Sequence, residues 1–293
     1  VLFRSQEDFK RILVLTDFSS ASLHAAEEAA AIATRFNSKL HLLHVSSSAA
    51  VSHLSLPETC FFHVAEEDED SSLNNKLRLE KMKIDLENRF GICIQSHEAK
   101  GPLKKIVTYY VHDLHIDLVV VDAKKKSGIR ELLFSSVAEI IINTVESEVL
   151  CVYPESNCNR LKKIVLPVGK FVPERKIRMA YELARKFAAN VHMISLNKNS
   201  NGISNENTKV LMAAYRYLKD ITNIPVECRT VSGNNMAEAA IRYAENINAD
   251  LILVNPGTES QLSGNFLYRW GGDIVNHSPV PVLSVHSNME KKQ

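Results

Sequence analysis

A basic loop between a buried strand and a helix is the first place where this sequence could do chemistry. The run VVVDAKKKSGIRELLFSSVAEI spans residues 119–140, and its middle carries Lys124, Lys125, Lys126 and Arg130. In a parallel α/β protein, the loop that follows the carboxyl end of a strand is the usual place for a ligand. Clustered ammonium and guanidinium groups attract phosphate. The loop is therefore a candidate phosphate site.

A second set of side chains has the chemistry of metal ligands. His44, His53, Cys60 and His63 lie in or after a predicted strand, and the last two form a CxxH pair. Imidazole and thiolate groups bind zinc, but this spacing is irregular. We therefore predict no metal site and keep zinc at this insert as the open alternative. The sequence has no GxSxG, no Ser/His/Asp order and no GxxxxGK[ST], so we predict no catalytic residue.

The elements that must position these residues occur twice along the chain. The paired segments are 9–19 with 161–171, 38–47 with 189–198, 115–123 with 248–256, and 147–154 with 280–287. Their order is the same in both halves, and the spacing differs only by insertions, which belong in loops. We predict two domains, residues 8–157 and 158–290.

Each half alternates short apolar strands with amphipathic helices. In the first half the predicted strands are 11–17, 39–45, 92–97, 117–122 and 148–153, and the predicted helices are 20–36, 74–90, 102–114 and 136–145. Strands that are apolar on both faces are typical of a parallel sheet covered on both sides. Right-handed crossovers then predict an α/β fold with a doubly wound five-stranded sheet in each half. Strands 149–153 and 281–285 are expected to pair the two domains within the chain, because they would otherwise leave exposed sheet edges.

Composition excludes several classes of partner. The 293 residues include 35 Lys+Arg and 34 Asp+Glu, which argues against nucleic acid or an anionic membrane as the main partner. No apolar run approaches the length of a membrane span and no signal peptide is recognised, so we expect a cytoplasmic protein.

Cys93, Cys151 and Cys228 lie in apolar runs and are predicted to be buried. The insert 46–73, with its EEDED run, is predicted to be a mobile surface loop, and a docking surface for a basic partner is the alternative.

Three runs carry a resemblance to a known family. ILVLTDFSSAS at residues 12–22, LHLLHV at 40–45 and SGIRELLFSSVAEI at 127–140 resemble the universal stress protein family in its tandem, two-domain form. The resemblance covers nearly the whole chain. It implies an adenine nucleotide alpha hydrolase-like fold, a role in stress response and, in some members, an ATP site.

That ATP site implies a defined set of positions. It uses an acid at the end of strand 1 and a loop patterned Gly, two residues, Gly, nine residues, Gly and a hydroxyl, so that backbone N–H groups approach the phosphates closely. Here the glycine positions hold Asp122, Lys125 and Ser135. The degenerate site that the resemblance implies comprises Asp17, Val45, Asp122, Lys125, Ser135, Ser136 and Val137.

The second half departs further from the family pattern. Gly169 stands at the acid position, and the loop glycine positions hold Asn255, Thr258 and Tyr268, with Arg269 in place of the hydroxyl. We predict no phosphate loop in the second domain.

Three ligand hypotheses for the first loop stay open. Side chains at Asp122 and Lys125 obstruct the close approach of the backbone, which favours no tight nucleotide site. The lysines could instead hold ATP or AMP in domain 1 by charge, or hold another anion. Asp17 either accepts local N–H groups or recognises adenine. Ser136, in the run SVAE, either caps the following helix or also contacts phosphate.

The sequence therefore predicts a non-enzymatic cytoplasmic stress-response protein with degenerate nucleotide loops that acts through protein partners. An ATP or AMP sensor using domain 1 is the first alternative. An ATP-hydrolysing enzyme is the second, although no base or nucleophile is found near the loop. Whether two chains form a homodimer stays open.

Overall fold

The structure is a computed structural model of the chain. It describes residues 9–46, 69–123, 137–197, 205–233, 235–255, 274, 278 and 280–286. These residues form two compact units, one over Phe9–Pro154 and one that starts at Glu155. Within the described residues, no helix is both long and apolar enough to cross a membrane.

The first unit is a five-stranded parallel sheet with helices. Its strands are β1 (Arg11–Thr16), β2 (Lys39–Ser46), β3 (Ile94–Lys100), β4 (Leu118–Asp122) and β5 (Glu148–Val152), and its helices are α1 (Ser20–Phe36), α2 (Glu69–Phe90), α3 (Leu103–Asp113) and α4 (Val137–Ile142). The strand order is β3-β2-β1-β4-β5, with every pair parallel. The chain thus winds outward in both directions from β1, and the predicted doubly wound fold is confirmed.

Local sequence explains why α1 lies where it does. Ser19 is its N-cap and accepts the Ser22 N–H at 3.2 Å, while Asn37 ends the helix in the left-handed conformation at φ 56°. Both residue types suit these positions, because Ser accepts a free N–H group and Asn tolerates positive φ. The inner face of the helix carries Ala26 and Ala29, which are fully buried.

The second unit repeats the first. Its strands are β6 (Lys163–Pro167), β7 (Asn190–Asn197), β8 (Val226–Ser232), β9 (Leu251–Val254) and β10 (Val282–Ser284), and its helices are α5 (Glu174–Phe187), α6 (Asn205–Ile221) and α7 (Met236–Ile247). The strand order β10-β9-β6-β7-β8 mirrors that of the first unit, and the pairs are again parallel. A 3₁₀ turn at Cys158–Arg160 precedes β6.

One aspartate anchors the central strand in each unit. Asp117 Oδ2 accepts the N–H groups of Lys10 and Arg11 at 2.8 and 2.9 Å. In the second unit Asp250 Oδ2 accepts the N–H groups of Lys162 and Lys163 at 2.7 and 2.8 Å. The predicted repeat therefore extends to individual hydrogen bonds.

Several predicted details are wrong. Helix α2 begins at Glu69 rather than 74, so the end of the acidic run is helical and not a loop. Strand β3 runs over Ile94–Lys100 rather than 92–97, and Cys93, just before it, is exposed instead of buried. Cys228 is only half-buried, because the strand that carries it has an exposed face, whereas Cys151 is fully buried as predicted. Helix α4 ends at Ile142 rather than at residue 145. The chain then makes a tighter turn, in which the Thr144 N–H donates to the Ile141 carbonyl oxygen.

Candidate functional site

Asp17 follows β1 and lies at the carboxyl edge of the first sheet. Its Oδ1 accepts the backbone N–H of Ser19 at 2.9 Å, across a tight turn into α1. Burial raises the pKa of Asp17, but hydrogen bonds from Ser19 and Ser22 outweigh that effect and bring the pKa below its usual value. Asp17 is therefore a carboxylate at neutral pH, and it already has a structural role because it fixes this turn.

Phe18 adopts an unusual backbone conformation beside Asp17. Its φ is 61°, which is strained for a bulky residue. Its ring centroid lies 4.5 Å from that of His44, and the Arg78 guanidinium lies 4.3 Å from the ring centroid. His44 Nδ1 lies 2.8 Å from the carbonyl oxygen of Thr16 and donates to it. The aromatic and cationic contacts of Phe18 offset the backbone strain and hold the turn after β1.

The other candidate positions lie on neighbouring elements. Val45 is buried near the end of β2, Asp122 is the half-exposed last residue of β4, and Val137 begins α4. Lys125, Ser135 and Ser136 lie outside the described residues, as does the rest of the basic loop.

The sheet brings two carboxylates to one edge. Strands β1 and β4 are parallel neighbours with Val14 beside Val120 in the register. Asp17 and Asp122 therefore follow at the carboxyl ends of adjacent strands. Asp122 also helps to raise the pKa of the buried Cys151 thiol to about 12, after burial itself, which is the larger cause. The described part of this edge is thus acidic, which is unfavourable for a polyphosphate.

In the second unit, the described part of the equivalent edge carries a cation where the first unit has an acid. Pro167 ends β6, Gly169 takes the place of the strand-1 acid, and Lys176 of α5 is completely buried. The Lys176 ammonium donates to the Pro167 carbonyl oxygen at 2.7 Å. A buried ammonium thus binds the backbone close to where the first unit carries Asp17. The sequence analysis missed Lys176, although its spacing of four from Ala180 on the apolar face of α5 was a usable signal.

Two buried histidines also escaped the sequence analysis. His41 Nδ1 lies 3.0 Å from His97 Nε2, and in the second unit His192 Nδ1 lies 3.2 Å from the Tyr243 hydroxyl. His192 is therefore not an isolated side chain. The signal was in the repeat, because His41 and His192 occupy the same position in their two strands.

Metal ligands do not assemble in the part of the chain that the structure describes. Within the ranges given above, no three His, Cys, Asp or Glu side chains form a group that could hold a metal ion. His53, Cys60 and His63 lie outside those ranges, so the zinc alternative stays a hypothesis.

Known proteins match this chain in both sequence and fold. The family model of the universal stress protein family matches residues 8–153. This chain belongs to the universal stress protein family through its first unit. Among curated relatives, universal stress protein YxiE of Bacillus subtilis is 28% identical over 150 residues, which are 49% of this chain and 99% of YxiE. Universal stress protein MJ0531 of Methanocaldococcus jannaschii is 26% identical over 145 residues, covering 49% of this chain and 82% of the relative.

A solved structure extends the likeness to both units. A universal stress protein from Archaeoglobus fulgidus superposes with a TM-score of 0.72 and 16% identity, covering 94% of this chain and 96% of the other. At this identity the match shows the fold alone. The tandem universal stress architecture predicted from the sequence is confirmed.

Proposed function

We propose that this universal stress protein is a non-enzymatic, cytoplasmic stress-response protein whose nucleotide sites have degenerated, and that it acts through protein partners. The observation that carries the proposal is the charge and geometry of the two carboxyl edges. In the first unit Asp122 stands at the first glycine position of the ATP loop, at the end of the strand next to the one that Asp17 follows. In the second unit a buried Lys176 ammonium binds the carbonyl at the end of β6.

The features of the first unit act against ATP for two physical reasons. A side chain at a glycine position keeps backbone N–H groups from approaching phosphate closely, and a carboxylate repels it. The Asp17 oxygen that could meet adenine also holds the Ser19 N–H. In the second unit Gly169 leaves no acid at the corresponding position.

Helix α2 supports action through a protein partner. Leu79, Met82 and Leu86 form its buried face. Leu73, Leu77 and Ile84 lie on the opposite face and are 60%, 64% and 48% exposed. Large apolar side chains aligned on the outer face of a helix are typical of a contact surface.

An adenine nucleotide sensor is the second candidate. It is favoured by the ionised Asp17 at the end of β1 and by the lysines of the following loop, which could balance the acidic edge by charge. The two candidates differ in one measurable property, because only the sensor requires saturable binding of ATP or AMP.

A titration with a restored loop tests the proposal. Isothermal titration of ATP and AMP into the full chain should give no saturable heat, and the triple substitution Asp122→Gly, Lys125→Gly and Ser135→Gly should create binding. The titration includes cAMP, which a solved universal stress protein holds in its crystal. Saturable binding to the unmodified chain that Asp17→Asn abolishes would establish the sensor instead. Measurable ATP turnover above background would establish the enzyme.

A further inference from the structure

Two histidines join the outer strand of the first sheet to its neighbouring strand, away from the carboxyl edge that carries Asp17. His41 is in β2, and His97 is in β3, which is the outermost strand on one side of the order β3-β2-β1-β4-β5. His41 Nδ1 and His97 Nε2 are 3.0 Å apart, and the rings are nearly parallel, with an interplanar angle of 20°. A gap of this size holds one hydrogen, so one ring must donate and the other must accept.

This arrangement does not accommodate the protonation of both rings. If both rings were charged, two N–H groups would face each other across the gap and the hydrogen bond would be lost. His41 is 3% exposed, and its other ring nitrogen, Nε2, is buried and has no hydrogen-bond partner among the described residues. A proton placed on that nitrogen would therefore have no acceptor, which is costly for a buried cation.

The surroundings of the pair are cationic. Arg11 of β1 and Lys39 of β2 act on His41 by charge, and His97 adds a third repulsive group when protonated. From α3, the Tyr110 ring lies 5.1 Å from the His97 ring, and Asp113 acts on Tyr110. Burial first, and then His97, Arg11 and Lys39, lower the pKa of His41 to about 4. Burial also lowers the pKa of His97.

The second unit provides an internal comparison. His192 occupies the place of His41, but its Nδ1 faces the Tyr243 hydroxyl at 3.2 Å and the Glu227 carboxylate at 3.9 Å. Burial lowers the pKa of His192, as do Lys163 and Arg229, whereas Glu227 raises it. Among the described residues, Nε2 of His192 is buried without a hydrogen-bond partner, as Nε2 of His41 is, so the two histidines differ at Nδ1. At that atom a protonated His192 can donate to an oxygen beside a negative charge, whereas His41 faces a ring nitrogen of His97.

We propose that the His41–His97 pair makes the attachment of β3 to β2 sensitive to acid: the pair holds the outer strand at neutral pH, and acidification releases it. The second unit keeps its outer strand, β8, because its histidine faces a hydroxyl and a carboxylate. Release of β3 would also loosen α2, because Glu87 of that helix accepts the Ile94 N–H at 2.9 Å and Glu80 accepts the Ser96 hydroxyl.

The sign and size of the effect follow from linkage. A histidine whose pKa is lowered by folding stabilises the folded state above its unfolded value of 6.5, and this contribution is lost as pH falls from 6.5 toward about 4. Between pH 7.5 and pH 5.0 the population of the opened strand should therefore rise about thirty-fold.

Hydrogen exchange of the full chain at these two pH values tests the proposal. After correction for intrinsic exchange rates, amide protection in Ile94–Lys100 should fall about thirty-fold, and protection in Val226–Ser232 should fall by a smaller factor. His41→Gln should remove most of the pH dependence in β3, whereas the matched control His192→Gln should leave it unchanged. Equal losses in the two outer strands, or an unaltered response in His41→Gln, would overturn the proposal.

A second measurement applies even if His41→Gln does not fold. In the unmodified chain, the imidazole proton resonances of His41 and His97 should titrate below the usual histidine value of 6.5, and they should shift together. Independent titration of both rings near the usual histidine value would also overturn the proposal.

Discussion

Substitution of Asp17 tests most sharply whether its carboxylate stabilises the turn that joins β1 to α1. Asp17→Ala removes the oxygen that accepts the Ser19 N–H at 2.9 Å. A hydrogen bond to a charged group contributes about 1.5–3 kcal/mol when buried, and Asp17 is half-exposed, so we expect a loss of about 1–2 kcal/mol. Asp17→Asn keeps an acceptor oxygen in the same place and should cost less than about 0.5 kcal/mol.

The assay is hydrogen exchange of the segment that joins β1 to α1, in the full chain at pH 7. Since 1.4 kcal/mol is a factor of ten, protection in Asp17→Ala should fall about five- to thirty-fold, and in Asp17→Asn by about twofold at most. Ser19→Ala, which removes the N-cap of α1 and a hydroxyl that hydrogen-bonds Asp17, has an expected cost of about 1 kcal/mol.

The pH dependence has a defined direction. Hydrogen bonds bring the folded pKa of Asp17 below its ordinary value of 3.8, so its contribution is present above pH 3.8 and is lost as pH falls through the lower folded value. Asp17→Asn should remove that acid-dependent part. If Asp17→Ala is as stable as the unmodified chain, or if Asp17→Asn is as damaging as Asp17→Ala, the structural role assigned to this carboxylate is wrong.

Three further predictions concern other described residues. Asp117→Ala and Asp250→Ala should each destabilise their own unit by about 2 kcal/mol, because each leaves two backbone N–H groups without an acceptor; unit-resolved hydrogen exchange will show whether the two losses match. Lys176→Ala should lower the stability of the second unit by about 3 kcal/mol, through a cavity and an unsatisfied carbonyl, and unchanged thermal unfolding would contradict this. Iodoacetamide at pH 8 should label the exposed Cys93 and spare Cys151, whose buried thiol has a pKa of about 12; peptide mapping that finds Cys151 labelled in the folded chain would refute the assignment.

The fold could be predicted from the sequence because its signals are strong and local. Apolar strands, amphipathic helices and the repeat of four segments all indicate the same α/β arrangement, and the predicted bounds of α1, residues 20–36, are correct. The start of α2 was missed because acidic residues favour solvated loops but also suit the first turn of a helix. Cys93 was predicted to be buried because strand apolarity does not reveal which strand lies at the outside of a sheet.

The candidate site was less predictable, since its important contacts join residues far apart in sequence. The sequence places Asp17 and Asp122 on the right elements, and only the sheet register brings them to adjacent strand ends. The pairing of His41 with His97 and the burial of Lys176 depend on side-chain packing between elements, which local patterns do not specify. The repeat held a partial signal, because His41 and His192 recur at equivalent positions.

The central claim is that neither unit holds ATP in the manner of a glycine loop. Isothermal titration of ATP into the full chain, after removal of any co-purified nucleotide and confirmation by mass spectrometry, tests it most directly. We expect no saturable binding below about 1 mM, a dissociation constant that corresponds to about 4 kcal/mol of binding free energy. A dissociation constant in the low micromolar range would contradict the claim.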